Sequence, residues 1–367
     1  MTGPGTLATM GARERTADPA AEEASLERVA AALECVECGL PIEARGLVLR
    51  CRQGHPGLVA GSLGIHHASD VVELRDERSA RSLSLKIPKV GGRIETDERL
   101  LQETLNEATT LAHLNDAGFG AGPYRVPVAV AGAVRGEAIL METLAGRQLE
   151  ALLLGSGTWT RPRTVLHGME RAGRWLGHFV RATEVERAGF DPLPARALGE
   201  TFLSEIVEGG YPGPSAARLG DLLRSAGDRA AGEVLPRCLV HGDFRPRHVF
   251  LGRDDATVID WEQTSVGWAH EDAAFFLASI DGFSNRHPLR RWSPGGRLAA
   301  GRFARAYLDE GAPAWGAAGR FLRLLGMIRA LNIEYRGTLP ARRPFVFERV
   351  VLPHYARWFR RWELGGA

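Results

Sequence analysis

Residues Leu239–Leu251 read LVHGDFRPRHVFL, and the fold turns on this stretch. Cys238–Val240 form a strand-like apolar run that leads into a polar loop carrying His241, Gly242 and Asp243. A second apolar run, Val249–Leu251, leads out of the loop. The continuation VFLGRDDATVIDW has two β-rich arms around a polar turn, which predicts a hairpin ending on Asp260. Two carboxylates are thus each expected at the end of a short apolar strand.

Phosphoryl transfer uses such a pair. Its transition state spreads negative charge over the equatorial oxygens, so catalysis rests on positioning and electrostatics. It requires a cation for the ATP phosphates, a carboxylate for Mg²⁺, and a base or orienter for the acceptor hydroxyl. The upstream sequence supplies the cation. Of 46 basic residues only Lys86 and Lys89 are lysine. An ammonium is a compact point charge where arginine is a planar fork, so the survival of Lys86 points to a need for that geometry. Lys86 lies in SLSLKI, the second of two strand-like runs after DVVELR. A helix is predicted over Asp97–Asn115, with Leu100, Thr104, Glu107, Leu111 and Leu114 on one stripe. Glu107 falls on that largely apolar face, where a carboxylate requires a cationic partner, and Lys86 is the natural one. YRVPVAVAG and EAILMETLAG read as two more strands. After Gly146 the pattern turns helical, with Leu166, Met169, Gly173, Leu176 and Val180 on one stripe. The last third carries the helical runs EDAAFFLASI, GRLAAGRFARAYLDE and GRFLRLLGMIRALNIEY.

HGDFRPRHVF followed by VIDWE resembles the aminoglycoside phosphotransferase and choline kinase superfamily, distant relatives of the protein kinases. The resemblance implies an α+β, bilobal, protein-kinase-like fold, with a small β-rich N-lobe (58–145) and a large helical C-lobe (146–367). It implies an ATP-dependent phosphotransferase with an alcohol group as acceptor. Asp243 would be the catalytic base, and Asp260 would bind Mg²⁺ or Mn²⁺. Arg245 would face the transferred phosphate, where the protein kinases carry a lysine. Lys86 would contact the ATP phosphates and pair with Glu107, in a segment similar to the family's E-A-x-x-L helix. Met141, Glu142 and Thr143 would form the hinge that receives adenine, and GSLGIHHAS would cover the phosphates. Asp272 resembles an aspartate that braces the site. His248 departs from the pattern, because the superfamily places a metal-binding asparagine there. Imidazole is a poorer ligand for Mg²⁺, but it can ligate Mn²⁺ or orient Asp243, and bacterial sugar kinases of the lipopolysaccharide type also place histidine there.

The N-terminal part reads separately. Residues 1–27 have no periodicity and are expected to be a mobile tail. Within 28–57, Cys35 and Cys38 are spaced C-x-x-C, and Cys51 and His55 are spaced C-x-x-x-H. With GLPIEARGLVLR as a hairpin between them, the four side chains suit a structural Cys₃His zinc-ribbon-like site. The alternative is a redox dithiol.

Composition bounds the partners. With 44% hydrophobic and 25% charged residues, no long apolar run and no signal-type leader, the chain reads as a cytoplasmic protein without a membrane partner. The formal charge is +2, yet from Trp268 onward 16 Arg stand against 8 acids. A basic C-terminal third disfavours a polycationic aminoglycoside and favours an anionic or neutral acceptor, such as a sugar, nucleoside or natural-product intermediate. A second reading is a zinc-ribbon protein on a kinase scaffold, binding RNA or protein with weak or no catalysis; retention of Asp243 and Asp260 speaks against it. Cys238 reads as core, His66 and His67 as turn residues, and Trp292, Trp315, Trp358 and Trp362 as packing between helices.

Overall fold

The computed structural model describes residues 42–45, 48–51, 58–65, 69–76, 82–88, 98–129, 138–154, 157–286, 294–337 and 344–363. The chain divides into two compact units, Met1–Thr104 with Ala129–Thr143, and Leu105–Val128 with Leu144–Ala367.

The first unit is built on a six-stranded antiparallel sheet, β1 (Ile42–Arg45), β2 (Val48–Cys51), β3 (Leu58–Ile65), β4 (Ser69–Asp76), β5 (Ser82–Pro88) and β7 (Ile139–Glu142), in that spatial order. The hairpin expected in GLPIEARGLVLR is present, with Ile42 opposite Cys51 and Arg45 opposite Val48. It continues the sheet, since Val48 pairs with Val59 of β3. Leu74, Leu83 and Leu85 are buried, and Leu83 and Leu85 show the period-2 alternation of a half-buried strand. The segment predicted to cover phosphates runs into β3, whose pairing with β4 shifts between Ala60 and Leu63. A bulge there re-aims the strand. YRVPVAVAG is not one strand. Tyr124–Arg125 form a two-residue strand β6 in the second unit, and Ala129 makes an isolated bridge to Met141 in the first. Pro127 lies between them and lacks the N–H a continuous ladder needs.

Helix α1 (Glu98–Leu114) matches the predicted helix to within one residue at each end. Thr104, Glu107, Leu111 and Leu114 are buried, as the stripe required; the side chain of Leu100 lies outside the described residues. The second half of this helix groups with the helical unit. One physical cause is on that half: Asn106 Nδ2 donates to the carbonyls of Glu262 (3.0 Å) and Thr264 (3.3 Å).

The second unit contains β8 (Arg147–Gln148), α2 (Leu149–Leu154), α3 (Pro162–Ala182), β9 (Glu184–Gly189), α4 (Leu193–Glu208) and α5 (Gly213–Ala230). The strands β10 (Val234–Val240), β11 (Val249–Leu251), β12 (Ala256–Val258) and β13 (Ser265–Trp268) follow. The helices α6 (Glu271–Arg286), α7 (Pro294–Asp309), α8 (Ala317–Arg336) and α9 (Leu352–Glu363) complete it. The predicted hairpin is β11–β12, with Val249 opposite Val258. It sits in a four-stranded sheet ordered β6-β12-β11-β8, and β10 is central in a three-stranded sheet ordered β13-β10-β9. Gly146 enters β8 at φ +133, and a Cβ there would stand 2.5 Å from the Leu251 carbonyl, so only glycine fits beside β11.

An aromatic layer anchors the loops. Phe244 and Trp261 are fully buried and directly follow Asp243 and Asp260. Trp175 of α3 stacks 5.8 Å from Phe244 and lies 5.8 Å from Trp261, while Phe276 and Phe303 close the layer at 4.1 Å from one another. Trp261 Nε1 donates to the Val258 carbonyl (2.9 Å), so its polar edge is satisfied inside the core. Each acid is thereby followed by a buried ring whose truncation to alanine would cost roughly 3–5 kcal/mol of stability.

Cys238 is buried, and burial pushes its thiol up, in keeping with a core residue. Trp358 is buried and Trp315 stacks on His270 at 4.5 Å, so both pack between helices as expected. Trp362 is partly buried against the same core. His66, His67 and Trp292 lie outside the described residues.

Candidate active site

Asp243 sits on a loop that is clamped along its backbone. Asp272, at the start of α6, accepts from the amides of His241 (2.6 Å) and Gly242 (3.0 Å). The bracing expected of Asp272 is therefore a pair of charge-assisted bonds inside the core. Burial pushes the Asp272 carboxyl up, opposed by His241 and by these two amides. From α8, Arg329 Nη1 donates to the Gly242 carbonyl at 2.8 Å, so the residue before Asp243 is held at both ends. Gly242 has φ +79, and a Cβ would lie 2.6 Å from the Gln263 carbonyl, which explains glycine in HGD.

The two acidic motifs are tied together through Ile259. Its carbonyl lies 2.8 Å from His241 Nε2, and its amide donates to the His248 carbonyl at 3.0 Å. His241 Nδ1 accepts from the Asp243 amide (3.3 Å), so the ring links the loop to the strand end through both nitrogens. Asp260 follows at φ +74, a left-handed conformation that aspartate adopts more readily than most residues.

The carboxylates differ in surroundings. The Asp243 side chain is 7% exposed, and its Oδ2 accepts from Arg245 and from Arg247 (3.3 Å). Arg329 Nη2 stands 3.7 Å from its Oδ1. Arg329 also stacks 3.9 Å above Phe275, which fixes the guanidinium. Burial lowers the Arg245 and Arg329 guanidinium pKa values, and Asp243 partly restores both. The Asp260 side chain is 24% exposed, and its Oδ2 lies 3.2 Å from His248 Nε2.

His248 is buried with its Nδ1 2.8 Å from the Asp243 carbonyl. Burial pushes its pKa down to about 4, against the opposing pull of Asp260 and Asp243, so the ring is neutral at pH 7. A neutral ring that donates from Nδ1 to a carbonyl must present a lone pair at Nε2. That lone pair accepts from Arg247 Nε at 2.8 Å and faces the Asp260 oxygen. Two lone-pair atoms facing each other suit a cation. Ligand atoms of Asp243, His248 and Asp260 lie within 4.8 Å of one another, and so do those of Glu107, Asp260 and Glu262. The donor sets fit a divalent ion, and Asp260 belongs to both.

Among the remaining expected site residues, Lys86 lies half-buried on β5 of the first unit, in register with Val71 and Ile139. Glu107 lies in the second unit, where its Oε1 accepts from the Trp261 amide at 3.3 Å. Met141, Glu142 and Thr143 follow the course of β7. The Thr143 amide is engaged by the Ser82 carbonyl (3.1 Å), and its hydroxyl is 2.9 Å from Ser84 Oγ. Cys35, Cys38 and His55 lie outside the described residues, as does the side chain of Cys51 at the end of β2. Sequence reasoning passed over Arg247, Arg329, Asn106, His241 and Glu262. Glu262 could have been found by its position two residues after Asp260; Arg329 gave no signal among so many arginines.

A strand-delivered acid on a doubly clamped loop is joined through one backbone residue to a second acid with metal-type neighbours. The chain belongs to the phosphotransferase enzyme family, whose model matches residues 64–321, and is an ATP-dependent phosphotransferase. Its structure is similar to macrolide 2'-phosphotransferase type I, with 16% identity, 86% of this chain and 93% of that chain covered, and a TM-score of 0.52. It is similar to the macrolide 2'-phosphotransferase of Brachybacterium faecium, with 17% identity, 90% and 96% covered, and a TM-score of 0.52. An amicoumacin kinase in complex with AMP-PNP and Ca²⁺ is similar at 14% identity, 86% of each chain covered, and a TM-score of 0.52. At these identities the likeness is one of fold. Comparison with curated proteins gives no match.

Proposed function

We propose that the protein transfers the γ-phosphate of ATP to a hydroxyl of a small molecule that is anionic or neutral rather than polycationic. The observation that carries this reading is the convergence of Asp243, His248 and Asp260. Asp243 accepts or orients the acceptor hydroxyl, and Arg245 stabilises charge on the transferred phosphoryl group. Asp260 and His248 hold the divalent metal, Mg²⁺ or Mn²⁺; when bound, the ion neutralises charge on the ATP phosphates. His248 serves both readings made of it, since one nitrogen supports the Asp243 backbone and the other faces Asp260. On this reading Lys86 contacts the ATP phosphates and β7 supplies the hinge. Beside Asp243 lies a small cavity of about 150 Å³, lined by Arg245, Arg247, Phe275, Ser279, Glu334 and Tyr355 among others.

The test is γ-phosphate transfer from ATP across a panel of hydroxyl metabolites, with Mg²⁺ and Mn²⁺ compared. Transfer to a non-cationic member is expected. Transfer confined to aminoglycosides would sink the substrate class, and salt-dependent RNA retention with no transfer at all would favour the binding-protein reading. Among the described residues no helix is long and apolar enough to cross a membrane. For the N-terminal segment the proposal is a structural Zn²⁺ on Cys35, Cys38, Cys51 and His55, supported by the β1–β2 hairpin between the ligand pairs. About one zinc per chain is expected, lost in Cys35→Ser. Zinc-free wild-type protein would contradict it.

A further inference from the structure

The base is enclosed. Asp243 Oδ2 receives both Arg245 and Arg247, and Arg329 Nη2 stands 3.7 Å from Oδ1, so an acceptor hydroxyl that approaches the carboxylate meets a guanidinium at either oxygen. The three arginines around Asp243 are not equally held. Arg329 is fixed by the Gly242 carbonyl and the Phe275 ring. Arg245 is 18% exposed, and its guanidinium lies 5.7 Å from the Phe275 ring centre. Arg247 is 44% exposed, lines the cavity, and holds Asp243 at 3.3 Å. Its other bond, from Nε to His248 Nε2, occupies the lone pair a metal ligand would use. Arg247 is therefore the cation that can move.

From this we infer that the acceptor carries an oxyanion, a carboxylate or a phosphate ester, beside the hydroxyl that is phosphorylated, and that Arg247 exchanges Asp243 for that group. This deepens the proposed phosphotransferase reading and rests on it. Charge favours the exchange. One carboxylate faces three guanidiniums. An oxyanion on the acceptor takes the released Arg247 fork with two charge-assisted bonds. A neutral acceptor offers the displaced guanidinium no anion of its own, and an amine there meets like charge.

The test is calorimetric binding to protein loaded with Mg²⁺ and AMP-PNP, using gluconate, glucose 6-phosphate, sorbitol, glucose and glucosamine as probes. Gluconate against sorbitol reads the carboxylate arm, and glucose 6-phosphate against glucose reads the phosphate arm. At least one oxyanionic member is expected to bind about tenfold or more tightly than its neutral counterpart. Arg247→Gln should close that gap, and Arg247→Lys should retain part of it, with thermal unfolding of both variants matching the wild type. The inference is overturned if no probe binds, if neutral or amine members bind as tightly, or if the gap survives in Arg247→Gln. Failure of the underlying reading looks different: wild-type protein would then release no γ-phosphate from ATP, either to a hydroxyl compound or to water.

Discussion

Asp243 and Asp260 are the same side chain in two settings. Asp243 stands on the β10 loop, 7% exposed, with three guanidiniums around it and the backbone of the two residues before it held by Asp272 and Arg329. Asp260 stands past the end of β12 in a left-handed turn, 24% exposed, facing a histidine lone pair and grouped with Glu107 and Glu262. Surroundings of the first kind suit a group that must meet a hydroxyl and a transferring phosphoryl; those of the second suit a metal ligand. The difference teaches that role follows from neighbours. His248 is the hinge of the comparison, because it touches both acids with different nitrogens.

The comparison breaks first at the acids themselves. Asp243→Ala and Asp260→Ala are each expected to lower γ-phosphate transfer ~10³-fold or more, measured with labelled ATP. Full activity in either variant would remove that residue from the mechanism.

The next test concerns the clamp that only Asp243 has. Asp272→Ala leaves the buried His241 and Gly242 amides without their acceptor and should cost about 2–5 kcal/mol in urea unfolding. The catalytic rate should fall with it. Unchanged stability would mean that the loop does not depend on α6.

The buried histidines sharpen the picture. His270, like His248, is pushed down to about 4 by burial, but it packs against Trp315 and Tyr307 instead of two carboxylates. Its folded pKa lies below its unfolded value of about 6.5, so its contribution is full above pH 6.5 and is lost as pH falls toward 4. The loss reaches up to about 3 kcal/mol and should be weaker in His270→Gln when unfolding is compared at pH 7 and pH 5. A flat profile in wild-type protein would contradict the burial argument.

The smallest effect is on metal choice. His248→Asn should shift the preference from Mn²⁺ toward Mg²⁺ by about tenfold or less, because an amide oxygen is the harder ligand. Collapse of activity under both metals would assign His248 to supporting the Asp243 backbone instead.

Much of this architecture was legible in the sequence because apolar periodicity and catalytic spacing coincide. The stripe through Thr104, Glu107, Leu111 and Leu114 marked α1. Asp272 was legible at a helix start. The arginine cage was not. Arg329 comes from α8, 86 residues past Asp243, and its role depends on helix packing that no local pattern encodes. The YRVPVAVAG segment misled because β-branched residues suggest a strand while Pro127 interrupts its ladder. The Thr143 amide, expected to receive adenine, is engaged by Ser82, a pairing set by β5–β7 register.

The most direct measurement is the affinity of wild-type, Asp243→Ala and Asp260→Ala protein for the Mn²⁺–AMP-PNP complex. The two variants are expected to be equally inactive but unequal in binding. Asp243→Ala should stay within about threefold of wild type, and Asp260→Ala should weaken about tenfold or more. Equal weakening in both, or weakening in Asp243→Ala alone, would contradict the division of labour between the two acids.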